Sequence, residues 1–341
     1  MHINLISDTV TKPSAAMRET MAQALVGDDV FRQDPTVNEL QEKLAKMFGK
    51  EAGLYCPSGT MTNQIAIKVH TRPLDEMICE YTSHVYQYET AGYGFNSGIG
   101  VNLVHGEHGK MTADLLESAI KPRYDWLPIS RLVVVENSTN KGGGNYYTAD
   151  ELRPIREVCL AHNLKFHLDG ARLFNVLVET GDDTKVIGSL FDSISICLSK
   201  GLGAPVGSVL LGNQSFIDEA RRFRKVLGGG MRQAGIIAAA CLYALNNNIE
   251  RLKEDNDRAR KIGQMLEGLD YVKTVSPVKT NIVIFTLKNM KAADFVDLLE
   301  KENVTASAFG EMQVRFVTHL DFTEEMLNRL NEILTTTMLK A

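Results

Sequence analysis

Two polar residues stand where apolar, strand-like runs stop: Asp169 after LKFHL and, thirty-one positions later, Lys200 after SISICLS. In an open α/β sheet, ligands gather at the carboxyl ends of strands, so residues just past such runs are the first candidates for chemistry. A lysine partly withdrawn from water has less preference for the ammonium form, and the neutral amine is the one that forms a Schiff base with a carbonyl. An acid buried at a second strand end needs a cationic partner. A pyridinium nitrogen is one such partner, and a ring kept protonated in this way is the electron sink of pyridoxal phosphate. Taken singly, each residue has a plainer reading: Lys200 as a solvated strand-end lysine, and Asp169 as a cap for a helix beginning at GARLFN. Together they point to one cofactor.

A phosphorylated cofactor also needs an anion site. In CPSGTMTNQIAIKVH, Ser58, Gly59 and Thr60 close a turn and open a helix whose free N–H groups favour a dianion, although the same triplet also serves as an ordinary N-cap. GGGMRQAG at 228–235 is a second candidate, with glycines for close approach and Arg232 for fixed charge, or else a glycine turn feeding a buried helix. His84, just past DEMICE, occupies a strand-end position from which an imidazole could lie against a planar ring or simply hydrogen-bond within its loop. HGEH at 105–108 has two histidines near a glycine turn and no third nearby, so we assign it no metal.

The elements that must position these residues follow a regular rhythm. From about residue 51 to 212, short apolar runs alternate with amphipathic stretches, which predicts an α/β fold with a large, mainly parallel sheet. Upstream, KPSAAMRETMAQAL and PTVNELQEKLAKMFG have helical spacing, each with proline near its start and the second closed by Gly49. Residues 234–245 are apolar on nearly every face, which predicts a helix buried all round, with the polar stretch 246–268 continuing it outward. After it, VKTVS, TNIVIFTL, VTASAF and EMQVRFVTH alternate with helices near 291–301 and over 323–338, an α+β pattern. The expected division is a large cofactor-binding domain over 1–245, N-terminal segment included, and a small α+β domain over 246–341.

A net charge of −5 supplies no basic surplus for nucleic acid or an anionic membrane, so the expected ligand is small. Five cysteines without CxxC spacing suit reduced thiols, and no signal-peptide or bilayer-spanning run is present, so a soluble, cytoplasmic protein is expected. A nucleotide-binding alternative lacks both a GxGxxG after the first strand and a GxxxxGK[ST] loop.

SDTVTKPS (7–14), GDDV (27–30), DPTVNELQ (34–41), PSGTMTNQ (57–64), HLDGARLFN (167–175), CLSKGLGAPVGS (197–208), LGGGMRQAG (227–235) and VRFVTHLD (314–321) come in an order that resembles the low-specificity L-threonine aldolases. These are pyridoxal 5'-phosphate enzymes of the aspartate-aminotransferase-like fold. The resemblance implies that Lys200 binds the cofactor covalently, Asp169 pairs with the pyridinium nitrogen and His84 stacks on the ring. It implies that Ser58, Gly59 and Thr60 hold the phosphate, helped by Arg232 and Lys225 from a neighbouring subunit of a homo-oligomer, dimer or tetramer. Ser7, Arg172 and Arg315 would bind the substrate carboxylate, Arg172 also touching the cofactor, and His84 or a water beside it would take the β-hydroxyl proton. The implied reaction is retro-aldol cleavage of L-threonine or L-allo-threonine to glycine and acetaldehyde, with a β-eliminating lyase or aminotransferase as the alternative on the same residues. The chain departs from the family pattern at Phe31 and Arg32, where tyrosine and glycine are usual, and at Trp126 and Thr139, where histidines are usual. These changes fall on the side that recognises the hydroxyl.

Overall fold

The computed structural model describes residues 1–337. Strand β1 (Ile3–Asn4) opens the chain. The apolar runs then become β2 (Ala52–Cys56), β3 (Asp75–Glu80), β4 (Gly100–Val104), β5 (Ile129–Glu136), β6 (Lys165–Gly170), β7 (Ser193–Cys197) and β8 (Ser208–Gly212). These form one seven-stranded sheet in the order β2-β8-β7-β6-β5-β3-β4. Only β8 runs against its neighbours, so the carboxyl ends of the other six share one edge. Every residue of β3, β7 and β8 is buried, as a sheet covered on both faces requires.

The covering helices obey the local rules in the sequence. Pro35–Met47 starts with Asp34 capping Val37 and proline in the first turn, and Gly49 just past its end takes φ 63°. Ala149–Ala161 carries a capping box between Thr148 and Glu151. Gly235–Asn247 is the apolar helix and packs on Ala15–Ala22 and Pro35–Met47. Among the described residues no helix is long and apolar enough to cross a membrane.

Two details differ from the sequence expectation. The polar stretch 246–268 does not continue the apolar helix: the chain turns after Asn247 and starts a new helix at Leu252–Glu267. Asparagine side chains compete with helical backbone bonds, and Asn248 gives its amide to the Leu202 carbonyl at 2.7 Å instead. Arg251 likewise reaches the Gly201 carbonyl at 3.4 Å, which ties the break to the turn that carries Lys200. The N-terminal segment also does not pack where 1–245 would put it. β1 pairs in parallel with β11 (Val304–Thr305), and Ile3 and Leu5 lie in the core of the small unit.

That unit is an antiparallel sheet of β12 (Ser307–Ala308), β13 (Gln313–Val317), β10 (Ile282–Leu287) and β9 (Val272–Val275), in that order. Its core is built on Phe285, Phe295 and Phe316. Helix Leu252–Glu267 spans both units, with Leu252 in the large core and Ala259, Ile262 and Leu266 in the small one. The last helix is Glu324–Glu332, followed by wider π turns over Ile333–Thr337; the expected end of that helix at 338, and the remaining residues to 341, lie outside the described residues.

Candidate active site

The carboxyl edge of the large sheet meets the small unit at a cavity of about 450 Å³. Lys200, His84, Ser7, Arg172 and Arg315, separated by up to three hundred residues, all line it. Lys200 lies in the turn after β7, where its carbonyl accepts from Gly203 N–H at 2.8 Å and from the Thr11 hydroxyl at 3.1 Å. Asp169, near the end of β6, is buried behind this cavity. Its Oδ2 accepts from the Asn63 amide at 2.8 Å and its Oδ1 from Ala171 N–H at 3.2 Å.

His84 begins the short helix His84–Gln87 just past β3. Its Nδ1 lies 3.0 Å from Glu89 Oε1, and its backbone N–H points to Glu136 at 3.3 Å. The nearest donor atoms of His84, Glu89 and Asp169 all lie within 4.8 Å of one another. Burial works to lower the His84 pKa, but the Glu89 hydrogen bond and the charges of Asp169, Glu89 and Glu136 together raise it above the ordinary value. Glu136, at the end of β5, is pushed up to about 7, first by burial and then by the nearby Asp169.

The two arginines are held side by side. Arg172 donates from Nε to Asp8 Oδ2 at 2.7 Å and from Nη2 to Asp8 Oδ1 at 2.8 Å, a bidentate pair buried almost completely. Arg315 donates to Asn140 and to the Ile6 carbonyl, each at 3.0 Å, and lies 4.6 Å over the Phe309 ring. Burial first and the Arg172 charge second bring its pKa down to about 10. Two desolvated guanidiniums in one cavity, with Arg315 Nε buried and unpartnered, make a receptor for an anion.

The remaining predicted residues fall outside this cavity. Ser58 caps helix Gly59–His70 through Met61 N–H, leaving the turn Ser58–Thr60 at the helix end beside β7, with Thr62 Oγ1 2.6 Å from Ser195 Oγ. A Cβ on Gly59 would lie 2.5 Å from Cys197 Sγ, so only glycine fits there. Lys225 and Arg232 are exposed, and neither lines the Lys200 cavity within one chain; Lys225 borders a hollow with Arg221 and Arg224. Gly229 does pack against Met61, which brings the glycine segment to the start of the same helix. Trp126 is exposed and stacks on Tyr124 at 4.8 Å, while Thr139 is buried and gives its hydroxyl to the backbone carbonyls of His108 and Asn145.

The HGEH loop borders a larger cavity of about 880 Å³, lined by His105, His108, Lys110 and Glu151. Lys110 pairs with Glu151 and His108 with Glu107 on its rim, and neither Asp169 nor Lys200 lines it, so size alone does not mark the site.

Sequence reasoning missed Asp8, Asn63, Glu89 and Glu136. Glu136 was accessible to the rule that found Asp169 and Lys200, since it closes the apolar run RLVVVE. Asp8 follows Ser7 directly. Asn63 and Glu89 carry no signal of their own, because only the tertiary fold brings them to Asp169.

A family model described as beta-eliminating lyase matches residues 4–290. The low specificity L-threonine aldolase of Escherichia coli K12 is 40% identical over 328 residues, covering 95% of this chain and 96% of that protein. Low-specificity L-threonine aldolase 1 of Arabidopsis thaliana is 38% identical over 329 residues, covering 94% and 92%. Among solved structures, a Leishmania major threonine aldolase superposes with a TM-score of 0.85 at 22% identity, over 99% of this chain and all of that one. A serine palmitoyltransferase of Sphingomonas wittichii gives 0.77 at 15% identity over 99% and 88%, so the fold extends well beyond one chemistry. With a family model spanning most of its length and relatives this similar end to end, the chain belongs to the beta-eliminating lyase family and, within it, to the low-specificity L-threonine aldolases.

Proposed function

We propose that the protein cleaves L-threonine and L-allo-threonine to glycine and acetaldehyde with pyridoxal 5'-phosphate bound at the Lys200 cavity. The observation that carries this reading is the convergence, on one cavity between the two units, of a strand-end amine, a histidine backed by a buried acid, and two guanidiniums. The donor set fits the cofactor. Lys200 is the amine for its aldehyde, Asp169 the acid for its ring nitrogen and His84 the flat partner for its ring. The turn Ser58–Thr60, which opens helix Gly59–His70 and so offers its first N–H groups, is the cradle for its phosphate. When bound, the cofactor supplies an electron sink for the pair released from a Cα bond.

The protein's own part is selection and proton handling. Arg172 is braced by Asp8 and Arg315 by Asn140 and Phe309, so both present fixed nitrogens to a substrate carboxylate, with the Ser7 hydroxyl beside them. Clamping the carboxylate fixes rotation about Cα and so decides which Cα bond aligns for cleavage; Cα–Cβ upright gives the aldol reaction. With His84 Nδ1–H directed at Glu89, Nε2 is the nitrogen free to take the β-hydroxyl proton and return it.

Lys225 and Arg232 belong to this reading as groups contributed across a homo-oligomer contact. Leu25, Phe31, Val226 and Ile236 are exposed near them, an apolar surface suited to such a contact.

The test is product analysis with the cofactor supplied. Glycine and acetaldehyde are expected from both threonine isomers, together with a visible absorbance band that Lys200→Ala abolishes along with turnover. Pyruvate and ammonia, or a keto acid, would identify the eliminating or transaminating alternative; full aldol turnover by Lys200→Ala would refute the assignment.

A further inference from the structure

Beneath the cavity runs a buried line of side chains. The Asn63 amide nitrogen lies 2.8 Å from Asp169 Oδ2 and 2.9 Å from Glu89 Oε1. Its oxygen lies 3.2 Å from His167 Nε2; His167 Nδ1 is 2.8 Å from Ser193 Oγ, and that hydroxyl is 2.7 Å from His70 Nε2. Carboxylates only accept, so the nitrogen end of Asn63 must face both acids and its oxygen must face His167. His167 then carries its proton on Nε2 and accepts at Nδ1 from the Ser193 hydroxyl, which in turn accepts from His70. Burial keeps both imidazoles neutral, with pKa values lowered to about 3 for His167 and about 4 for His70, as this one-way order requires. On its far side Glu89 also accepts from Gln64 at 2.6 Å and from His84 Nδ1.

We propose that Asn63 is a positioning residue for the reaction: its single amide holds the acid for the cofactor ring and the acid that orients His84, and the His167–Ser193–His70 relay fixes its direction. The inference rests on the function proposed above. Without Asn63, Asp169 and Glu89 lose the donor they share, and two like charges face one another with nothing between them, which drives the acids apart. Glu89 then leaves its line to His84, and the hold on the His84 Nδ1–H weakens. The other charged groups around His84 are Glu136 on β5, and Lys200, Arg172 and Arg315 across the cavity; none touches Asn63.

The experiment follows the ¹⁵N resonances of the histidines through a pH titration of the full-length protein without added cofactor, the His84 signal being the one lost in His84→Gln. In folded Asn63→Leu the His84 midpoint is expected to fall by about one pH unit. With cofactor, kcat should drop about tenfold or more while KM for threonine stays nearly constant, since the carboxylate clamp is untouched. Ser193→Ala, which contacts neither acid, should move the His84 midpoint in the same direction by less, and it decides the matter if Asn63→Leu does not fold. An unmoved His84 midpoint in the folded variant overturns the proposal, because a merely structural Asn63 would lower stability and leave that midpoint alone. Absence of a visible band in the cofactor-loaded wild type would instead sink the functional reading, and the His84 titration would still judge the relay.

Discussion

Replacing Asp8 by asparagine tests how Arg172, one half of the proposed carboxylate clamp, is held. Asp8 is fully buried and Arg172 nearly so, and the two share hydrogen bonds of 2.7 and 2.8 Å. Removing one partner of a buried ion pair leaves an uncompensated charge and costs about 3–5 kcal/mol. Asparagine keeps the shape and one acceptor, which places Asp8→Asn near the lower end. The carboxyl's own titration offers a second route to the magnitude. Burial pushes the Asp8 pKa up, but the charge and hydrogen bonds of Arg172, with help from Lys200 and Asn281, bring it down to about 2 from an ordinary 3.8. At about 1.4 kcal/mol per pH unit that displacement corresponds to roughly 2.5 kcal/mol, in reasonable agreement with the first figure.

The sign of the pH dependence follows. A carboxyl with a depressed pKa in the fold contributes stability above its unfolded value, and that contribution is lost as the pH falls from 3.8 toward 2. Denaturant unfolding of wild type and Asp8→Asn should therefore differ by about 3 kcal/mol at neutral pH, and the gap should close as the pH approaches 2. In kinetics, Arg172 loses its brace and the threonine KM rises, with a smaller change in kcat. Equal stabilities at neutral pH, or a gap that persists undiminished through the acid range, would refute the reasoning.

Glu136 titrates with the opposite sign. Its pKa is raised to about 7, so its ionisation counts against the cofactor-free fold as the pH climbs from 4.5 to 7. Glu136→Gln should leave stability unchanged in acid and raise it by up to about 3.5 kcal/mol above neutrality, measured by denaturant unfolding without cofactor; no gain at pH 8 would disprove it. Gly59→Ala forces a methyl to 2.5 Å from Cys197 Sγ. Overpacking of this kind costs about 1–3 kcal/mol and should weaken cofactor binding in an absorbance titration. Adding Cys197→Ala, which removes the obstructing sulfur, should restore part of both, and a double variant no better than Gly59→Ala would show that the contact is not the cause.

What the sequence revealed and what it hid divide along a physical line. Strand ends were legible because an apolar run that stops at a polar residue is a local pattern, and that pattern located Asp169, His84 and Lys200 on one edge of the large sheet. Caps and glycine stops were legible for the same reason, as at Asp34 and Gly49. The break after Asn247 was not, since it depends on Asn248 and Arg251 finding the carbonyls of Leu202 and Gly201, which no window of sequence contains. The packing of β1 with the small unit was hidden likewise, because its partner lies three hundred residues away. The hidden parts of the site share this origin. Asp8, Asn63 and Glu89 are ordinary by type and spacing, and each matters only through a partner from another element: Arg172 for the first, Asp169 for the second, His84 beside the short helix for the third. The strand-end residues Asp169, His84 and Lys200 therefore stand at positions a local pattern can find, while the groups that hold their neighbourhood in place are specified by packing. It follows that substitutions at Asp8 or Asn63, which no strand-end rule would single out, should alter this enzyme through the residues they brace.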